Sequence, residues 1–290
     1  MEEKSIGQDT DTSSAARRNR RVSIALRIVF TAALTVFIVA AVHLASIYLS
    51  YKKADESYDD LRELYGVSDD TADARTDEDT AAAHDETEEA GDMSWLISMH
   101  ESYPDICGWI RIEDTAVDYP LMHRGDDASN EYYLRRDYSG SYSVNGSIFL
   151  ASQNSPYMDD AHTIIYGHNM NSGAMFADVK KYEDSAFYER HPEVIIWSVD
   201  ADGHTVHEYR YSIFAANRTV TTSNVYTIGY QLETDYYRDF LDMLVSSSLY
   251  DTGITPDGSA NIITLSTCTS STGDSRNVVH AVLTSERSFS

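Results

Sequence analysis

Cys268 follows an apolar run, Asn261 to Thr267, and precedes a stretch of small polar residues, TSSTGDS, after which Arg276 opens a second run, RNVVHAVL. Read as a strand, the first run puts Ile263, Leu265 and Thr267 on one face and Ile262, Thr264, Ser266 and Cys268 on the other, more polar one. A packing cysteine sits among apolar side chains, so this placement favours an accessible and reactive thiol. If the two runs pair antiparallel, as the short connection permits, Arg276 stands beside Cys268, about 4.8 Å away in the neighbouring strand. A guanidinium there would help hold a thiolate and bind the oxyanion that forms when a carbonyl is attacked. A surface arginine paired with Asp274 is an equal reading on spacing alone. His168 ends a third run, TIIYGH, just before the loop NMNSG. Cysteine catalysis needs such a nitrogen base, near neutral in pKa, to form the thiolate and to protonate the leaving amine. Of the ten histidines, His43 lies in an apolar segment and His84 in an acidic one, while the others lack a comparable setting. A lone histidine is nonetheless usually structural.

The elements that must position these residues read as mainly β. From Gly108 onward the runs GWIRI, AVDYPLM, GSIFLA, HTIIYG, EVIIWSV, HEYRYSIFAA, NIITLST and NVVHAVL alternate with Gly, Asn, Asp and Ser turns, the pattern of a barrel or sandwich. Three helices are expected within it: Met93 to Tyr103, closed by Pro104; a short one over 174–182; and a longer one over 233–249 with Tyr237, Phe240, Leu241, Leu244 and Val245 on one face. Tyr132, Tyr133, Tyr138 and Tyr142 could line a peptide groove, although half-buried packing is the commoner use of such residues. The two cysteines, Cys107 and Cys268, have no metal-ligand spacing, and the bland alternative for the pair is one disulfide.

Ahead of this domain, Ile24 to Tyr51 form an apolar run long enough to cross a bilayer and longer than the apolar region of a cleaved signal peptide. Arg17, Arg18, Arg20, Arg21 and Arg27 precede or enter it, and only Lys52 and Lys53 follow at once. That excess of positive charge predicts a cytoplasmic N-terminus and an extracellular remainder. The spacing of Ala54, Tyr58, Leu61 and Tyr65 permits a helix that continues the anchor. Residues 68–92 are acidic and nearly free of large apolar side chains, as in a solvated, self-repelling stalk; a calcium site is the sharper alternative, but no EF-hand spacing is present. The expected organisation is a basic cytoplasmic segment over 1–23, a transmembrane helix over 24–51, an extension and stalk over 52–92, and a catalytic domain over 93–290. The net charge of −25 argues against nucleic acid as a partner, because phosphate backbones are bound by clustered Lys and Arg.

TLSTC, Thr264 to Cys268, followed by Arg276 at the start of a VVHAVL strand, resembles the sortase signature TLxTC…R, and YGHNM at 166–170 resembles that family's histidine motif. The stretches CGWIRI…VDYPLMH, NEYYLRRDYSGSYSVNGSIFLASQN and TIIYGHNMNSGAMFADVKKYED, with the helix before the cysteine strand, are similar to class B sortases across about residues 93–290. The resemblance implies an eight-stranded β-barrel with N-terminal helices, the added helix at 233–249 and an N-terminal membrane anchor. It implies Cys268 as the acyl-enzyme nucleophile, His168 as general acid and base, Arg276 as stabiliser of oxyanion and substrate, and Thr267 as a lesser candidate for groove contacts. Cys107 departs from the family where an aliphatic residue is common before GWI, and the loop from Cys268 to Arg276 is short. The implied activity is transpeptidation: cleavage of a C-terminal sorting motif after Thr in secreted proteins, and transfer to an amine of a peptidoglycan precursor such as lipid II. The implied location is a Gram-positive cell membrane, and the chemistry calls for no metal and no organic cofactor. A pilin polymerase acting on a Lys amine is the near alternative; an extracellular cysteine peptidase and a tethered surface-binding β-domain are the distant ones.

Overall fold

The structure, a computed structural model, describes residues 9–67, 93–127, 129–268 and 273–289; side chains before Leu26 and that of Cys268 lie outside the described set, as does the whole acidic stretch 68–92. Two compact units divide the chain, residues 1–52 and 53–290.

The first unit is helical, part of α1 (Asp9–Tyr65). It contains the apolar run, whose large side chains are exposed and whose mean hydropathy reaches 2.4, so α1 is long and apolar enough to cross a membrane. Its few hydroxyls turn back onto the helix: Thr31 Oγ1 donates to Arg27 O at 3.0 Å, Thr35 Oγ1 to Thr31 O at 2.8 Å and Ser50 Oγ to Ser46 O at 2.8 Å. That bonding satisfies in advance the polar groups a hydrocarbon environment would leave unpaired.

In the second unit eight strands close into a barrel: β1 (Ile106–Arg111), β2 (Asp118–Met122), β3 (Ile148–Leu150), β4 (His162–Tyr166), β5 (Glu193–Val199), β6 (Val206–Val220), β7 (Ile262–Cys268) and β8 (Ser275–Phe289), in the order β1-β2-β3-β4-β7-β8-β6-β5. Alternation sorts the side chains. Val194 and Ile196 of β5, Ile263 and Leu265 of β7, and Ile110, Leu121, Ile165, Val279 and Ala281 fill the interior. Ile195 and Trp197 point the other way, where they meet Leu96 and Met99 of α2 (Ser94–Ser102) and Leu61 of α1. On a third side α4 (Asp235–Ser246), capped by the Thr234 hydroxyl, lays Tyr237, Phe240, Leu241 and Leu244 on Ile262, Val278 and Val282.

Each of the eight expected runs forms a strand, and the helices before Pro104 and before the cysteine strand are present. The short helix expected over 174–182 is displaced. There Met175 N–H donates to Tyr119 Oη at 3.2 Å and Phe176 N–H to His168 O at 2.9 Å, so these amides hold the loop after β4 instead of entering a helix. A 3-10 turn follows at Asp178–Glu183, and α3 (Ser185–Arg190) begins at an Asp184 side-chain cap.

The end of α1 belongs to the barrel unit. Ala54, Tyr58 and Leu61 are buried, the Tyr58 ring meets Tyr119 edge-on at 5.4 Å, and Arg62 pairs with Asp118 at 3.3 Å beneath a guanidinium–Tyr119 contact of 5.2 Å. Burying side chains of this size stabilises by about 1.5–3 kcal/mol each.

Candidate active site

β7 and β8 pair antiparallel, and their register ends on Cys268 opposite Arg276. β4 runs parallel to β7 with Tyr166 opposite Ser266, so the chain leaving β4 at Gly167 and His168 emerges at the same end of the barrel. Gly167 is required there, because a Cβ would stand 2.6 Å from the Phe176 ring. The result is a groove of about 500 Å³ whose walls include His168, Arg276, Thr267, Ser266, Tyr166, Tyr226, Phe149 and Leu134. His168, Arg276 and Thr267 are thus brought to one cavity, and Cys268 is in its strand beside them; the thiol itself lies outside the described residues.

The imidazole of His168 is half-buried and fixed at one nitrogen. Nε2 lies 2.7 Å from Leu134 O, and a carbonyl can only accept, so Nε2 carries the proton and Nδ1 is left with its lone pair. Burial pushes the His168 pKa down from 6.5 and the nearby Arg135 charge adds to this, against the opposing bond to Leu134. The ring is therefore neutral at neutral pH and can take a proton at Nδ1.

Arg276 donates from Nη1 to Gly273 O and Ser275 O, both at 3.0 Å, which ties its head to the turn at the mouth of the groove. Arg276 forms no ion pair with Asp274 among the described residues, and its charge opposes the rise that burial causes in the Tyr166 pKa. Thr267 is 2% exposed, and its Oγ1 has no hydrogen-bond partner among the described residues, an unusual state for a buried hydroxyl lining a groove.

Aromatic groups line the groove, although not those singled out from sequence. Tyr133 is buried with its hydroxyl on Asp105 at 2.5 Å, Tyr138 packs on Tyr58, and Tyr142 is exposed to solvent. Instead Tyr166 stacks on Tyr226 at 6.2 Å and meets Phe149 at 5.5 Å, while the Tyr226 hydroxyl bonds Ser266 Oγ at 2.8 Å. Tyr166 is adjacent to the histidine motif, which is a signal that could have found it; Tyr226 lies in a short 3-10 turn far from any motif.

Cys107 behaves as a packing residue. It is buried, donates to Leu121 O at 3.3 Å and has its thiol pushed up to about 12 by desolvation. A second cavity, about 370 Å³, touches Cys107, His100 and His123 but none of the candidate catalytic residues. Among the described residues no group of three or more His, Cys, Asp or Glu is arranged to hold a metal ion.

A closed eight-stranded barrel that brings a strand-end cysteine, an arginine and a histidine to one groove defines a sortase fold, and the sortase domain model matches residues 110–284, so the chain belongs to the sortase family. Its relatives are of the B class. Sortase B of Listeria monocytogenes is 38% identical over 174 residues, 60% of this chain and 66% of that protein. Sortase B of Staphylococcus aureus is 30% identical over 171 residues, 59% of this chain and 66% of that protein. The match therefore spans just under two thirds of each curated relative. The crystal structure of sortase B from B. anthracis superposes with a TM-score of 0.63 at 27% identity, covering 81% of this chain and 98% of that one.

Proposed function

We propose that the protein is a membrane-anchored cysteine transpeptidase of the class B type. The observation that carries this reading is the pairing of Cys268 with Arg276 across β7 and β8 at the mouth of a groove that also holds a neutral, tautomer-fixed His168. As Cys268 Sγ attacks the Thr carbonyl of a sorting motif, His168 Nδ1 takes the thiol proton, and the Arg276 guanidinium with backbone donors stabilises the tetrahedral oxyanion. The C–N bond breaks and Nδ1 returns the proton to the leaving amine, so that a thioester remains on Cys268. An acceptor amine then attacks the thioester, His168 takes its proton, and the thiol is released as a new amide forms. Thr267 contributes a hydroxyl to the substrate's path.

The acceptor suited to a class B enzyme is an amine of the peptidoglycan precursor, and the product is a protein joined to the wall; a Lys amine of a pilin subunit is the other acceptor this chemistry serves. The anchor fits this work, since both substrates arrive at the outer membrane face.

The test incubates the full chain in lipid nanodiscs with Asn-Pro-Gln-Thr-Asn-type and Leu-Pro-x-Thr-Gly-type peptides and a set of amines, and reads products by mass spectrometry. A peptide–amine adduct and a thioester on Cys268 are expected, both lost in Cys268→Ala and kept in Cys107→Ala. Hydrolysis alone at every amine concentration would make the protein a peptidase, and peptide binding without any covalent product would make it a surface-binding domain.

A further inference from the structure

His168 is oriented by a backbone carbonyl, and the elements that hold that carbonyl lie outside the groove. Leu134 belongs to the 3-10 turn Tyr132–Arg135, against which the segment 143–147 is laid. Ser147 N–H donates to Tyr133 O and Ser143 N–H to Arg135 O, each at 3.0 Å, and Ser147 Oγ donates to Arg136 O at 2.8 Å. Gly146, at φ +61°, presses so closely that a Cβ would stand 2.6 Å from Tyr133 O and 2.8 Å from Leu134 O. The far side of the same segment is held by α1. Tyr58 Oη donates to Gly146 O at 2.7 Å, and Asn145 Nδ2 donates to Asp55 Oδ1 at 2.7 Å. Tyr58, Asn145 and Ser147 are each no more than 2% exposed, so the bond from Tyr58 to Gly146 has no competition from bulk water, whereas Asp55 is partly exposed.

We infer that Tyr58 is a positioning residue for His168: its hydroxyl seats Gly146, Gly146 seats the Leu134 carbonyl, and that carbonyl keeps the imidazole proton on Nε2. The inference rests on the reading of His168 as the acid–base group. A neutral imidazole without a fixed acceptor at Nε2 exchanges between two tautomers, and the one protonated at Nδ1 cannot take a proton from the thiol. Loss of the bond to Gly146 leaves a buried carbonyl unpaired directly behind Leu134, and a shift of well under 1 Å there is enough to disturb a reacting geometry. The last turns of α1 are in this way part of the catalytic apparatus as well as of the fold.

Tyr58→Phe isolates the hydroxyl, since the ring keeps its edge contacts with Tyr119 at 5.4 Å and Tyr138 at 5.7 Å. The experiment uses the full chain in nanodiscs with 15N-labelled histidine, the His168 signals being assigned by their loss in His168→Gln, together with the rate of Cys268 acylation by the better of the two motif peptides. In Tyr58→Phe the His168 nitrogens should move from the Nε2–H pattern toward a tautomer mixture, and kcat for acylation should fall roughly 10–100-fold with KM little changed. Asp55→Ala, which loosens the same segment at a partly exposed residue, should move both readouts the same way by a smaller amount, and serves if Tyr58→Phe unfolds. An unchanged His168 tautomer in a folded Tyr58→Phe protein overturns the inference, whether or not the rate falls. Full acylation by His168→Gln overturns the catalytic reading itself, and that result does not involve Tyr58.

Discussion

At the scale of single residues, the chemistry proposed for the groove rests on groups held at one end and free at the other. Arg276 has its Nη1 engaged by Gly273 O and Ser275 O, an arrangement that aims a planar fork rather than a loose charge. Arg276→Ala should lower turnover by roughly 10²–10³, the usual cost of removing one oxyanion donor, with much less effect on peptide binding. Lysine at 276 restores charge but not the fork and should recover only part of the rate. Steady-state transpeptidation with parallel thermal unfolding measures this, and near-normal turnover in folded Arg276→Ala would remove the residue from the mechanism. Cys268, His168 and Arg276 stand out in the sequence through the resemblance of TLSTC, Arg276 and YGHNM to the sortase motifs, since spacing alone leaves Arg276 equally a surface charge and His168 a structural histidine. Leu134 does not, since its contribution is a carbonyl that any residue would supply, and Ser266 and Tyr226 meet only through a contact 40 residues apart.

Among the elements, β4, β7, β8 and β6 are joined by a buried chain of polar side chains. His162 Nδ1 donates to Thr227 O at 2.7 Å, its Nε2 accepts from Thr264 Oγ1 at 2.7 Å, Thr264 bonds His280 Nδ1 at 2.8 Å, and His280 Nε2 lies 3.1 Å from the Asn217 amide. Burial lowers the two imidazoles from 6.5, His162 to about 4 and His280 to about 3, with the neighbouring His162 adding to the shift of His280. Below pH 6.5 the unfolded chain takes up protons that the folded one refuses. Stability must therefore fall with falling pH, by about 1.4 kcal/mol per unit for each histidine, until the folded values are reached. Urea unfolding between pH 7 and 4.5 should display this slope, and His280→Asn should flatten it by about one histidine's share; an unchanged slope would refute the assignment. Alternation exposed the strands in the sequence, yet β6 and β8 run on to Val220 and Phe289 through exposed residues, where only their pairing with each other keeps them extended. Docking of the last turns of α1 was likewise hidden, because Ala54, Tyr58 and Leu61 announce an apolar face without naming what covers it.

For the molecule as a whole, Arg17, Arg18, Arg20, Arg21 and Arg27 precede or enter the apolar part of α1, whereas only Lys52 and Lys53 follow it at once. We propose that this charge bias holds the N-terminus in the cytoplasm and the barrel outside. An amine reagent unable to cross membranes should then modify Lys181, whose side chain is 59% exposed, in intact cells. Modification only after lysis would reverse the topology.

Closure of the barrel has a consequence for how a peptide is read. Every strand from β1 to β8 has a neighbour on each side along part of its length, so the free edge left to an extended peptide is confined to overhanging strand ends such as that of β6 near Val220. Recognition by main-chain ladder bonds, which accept almost any sequence, is limited to those ends. Under the proposed reading, a motif peptide would be distinguished by the side chains around the groove, among them Tyr166, Tyr226, Ser266 and Thr267. On that reading, exchanging such side chains would alter which motif is preferred and leave the main-chain ladders of the barrel in place.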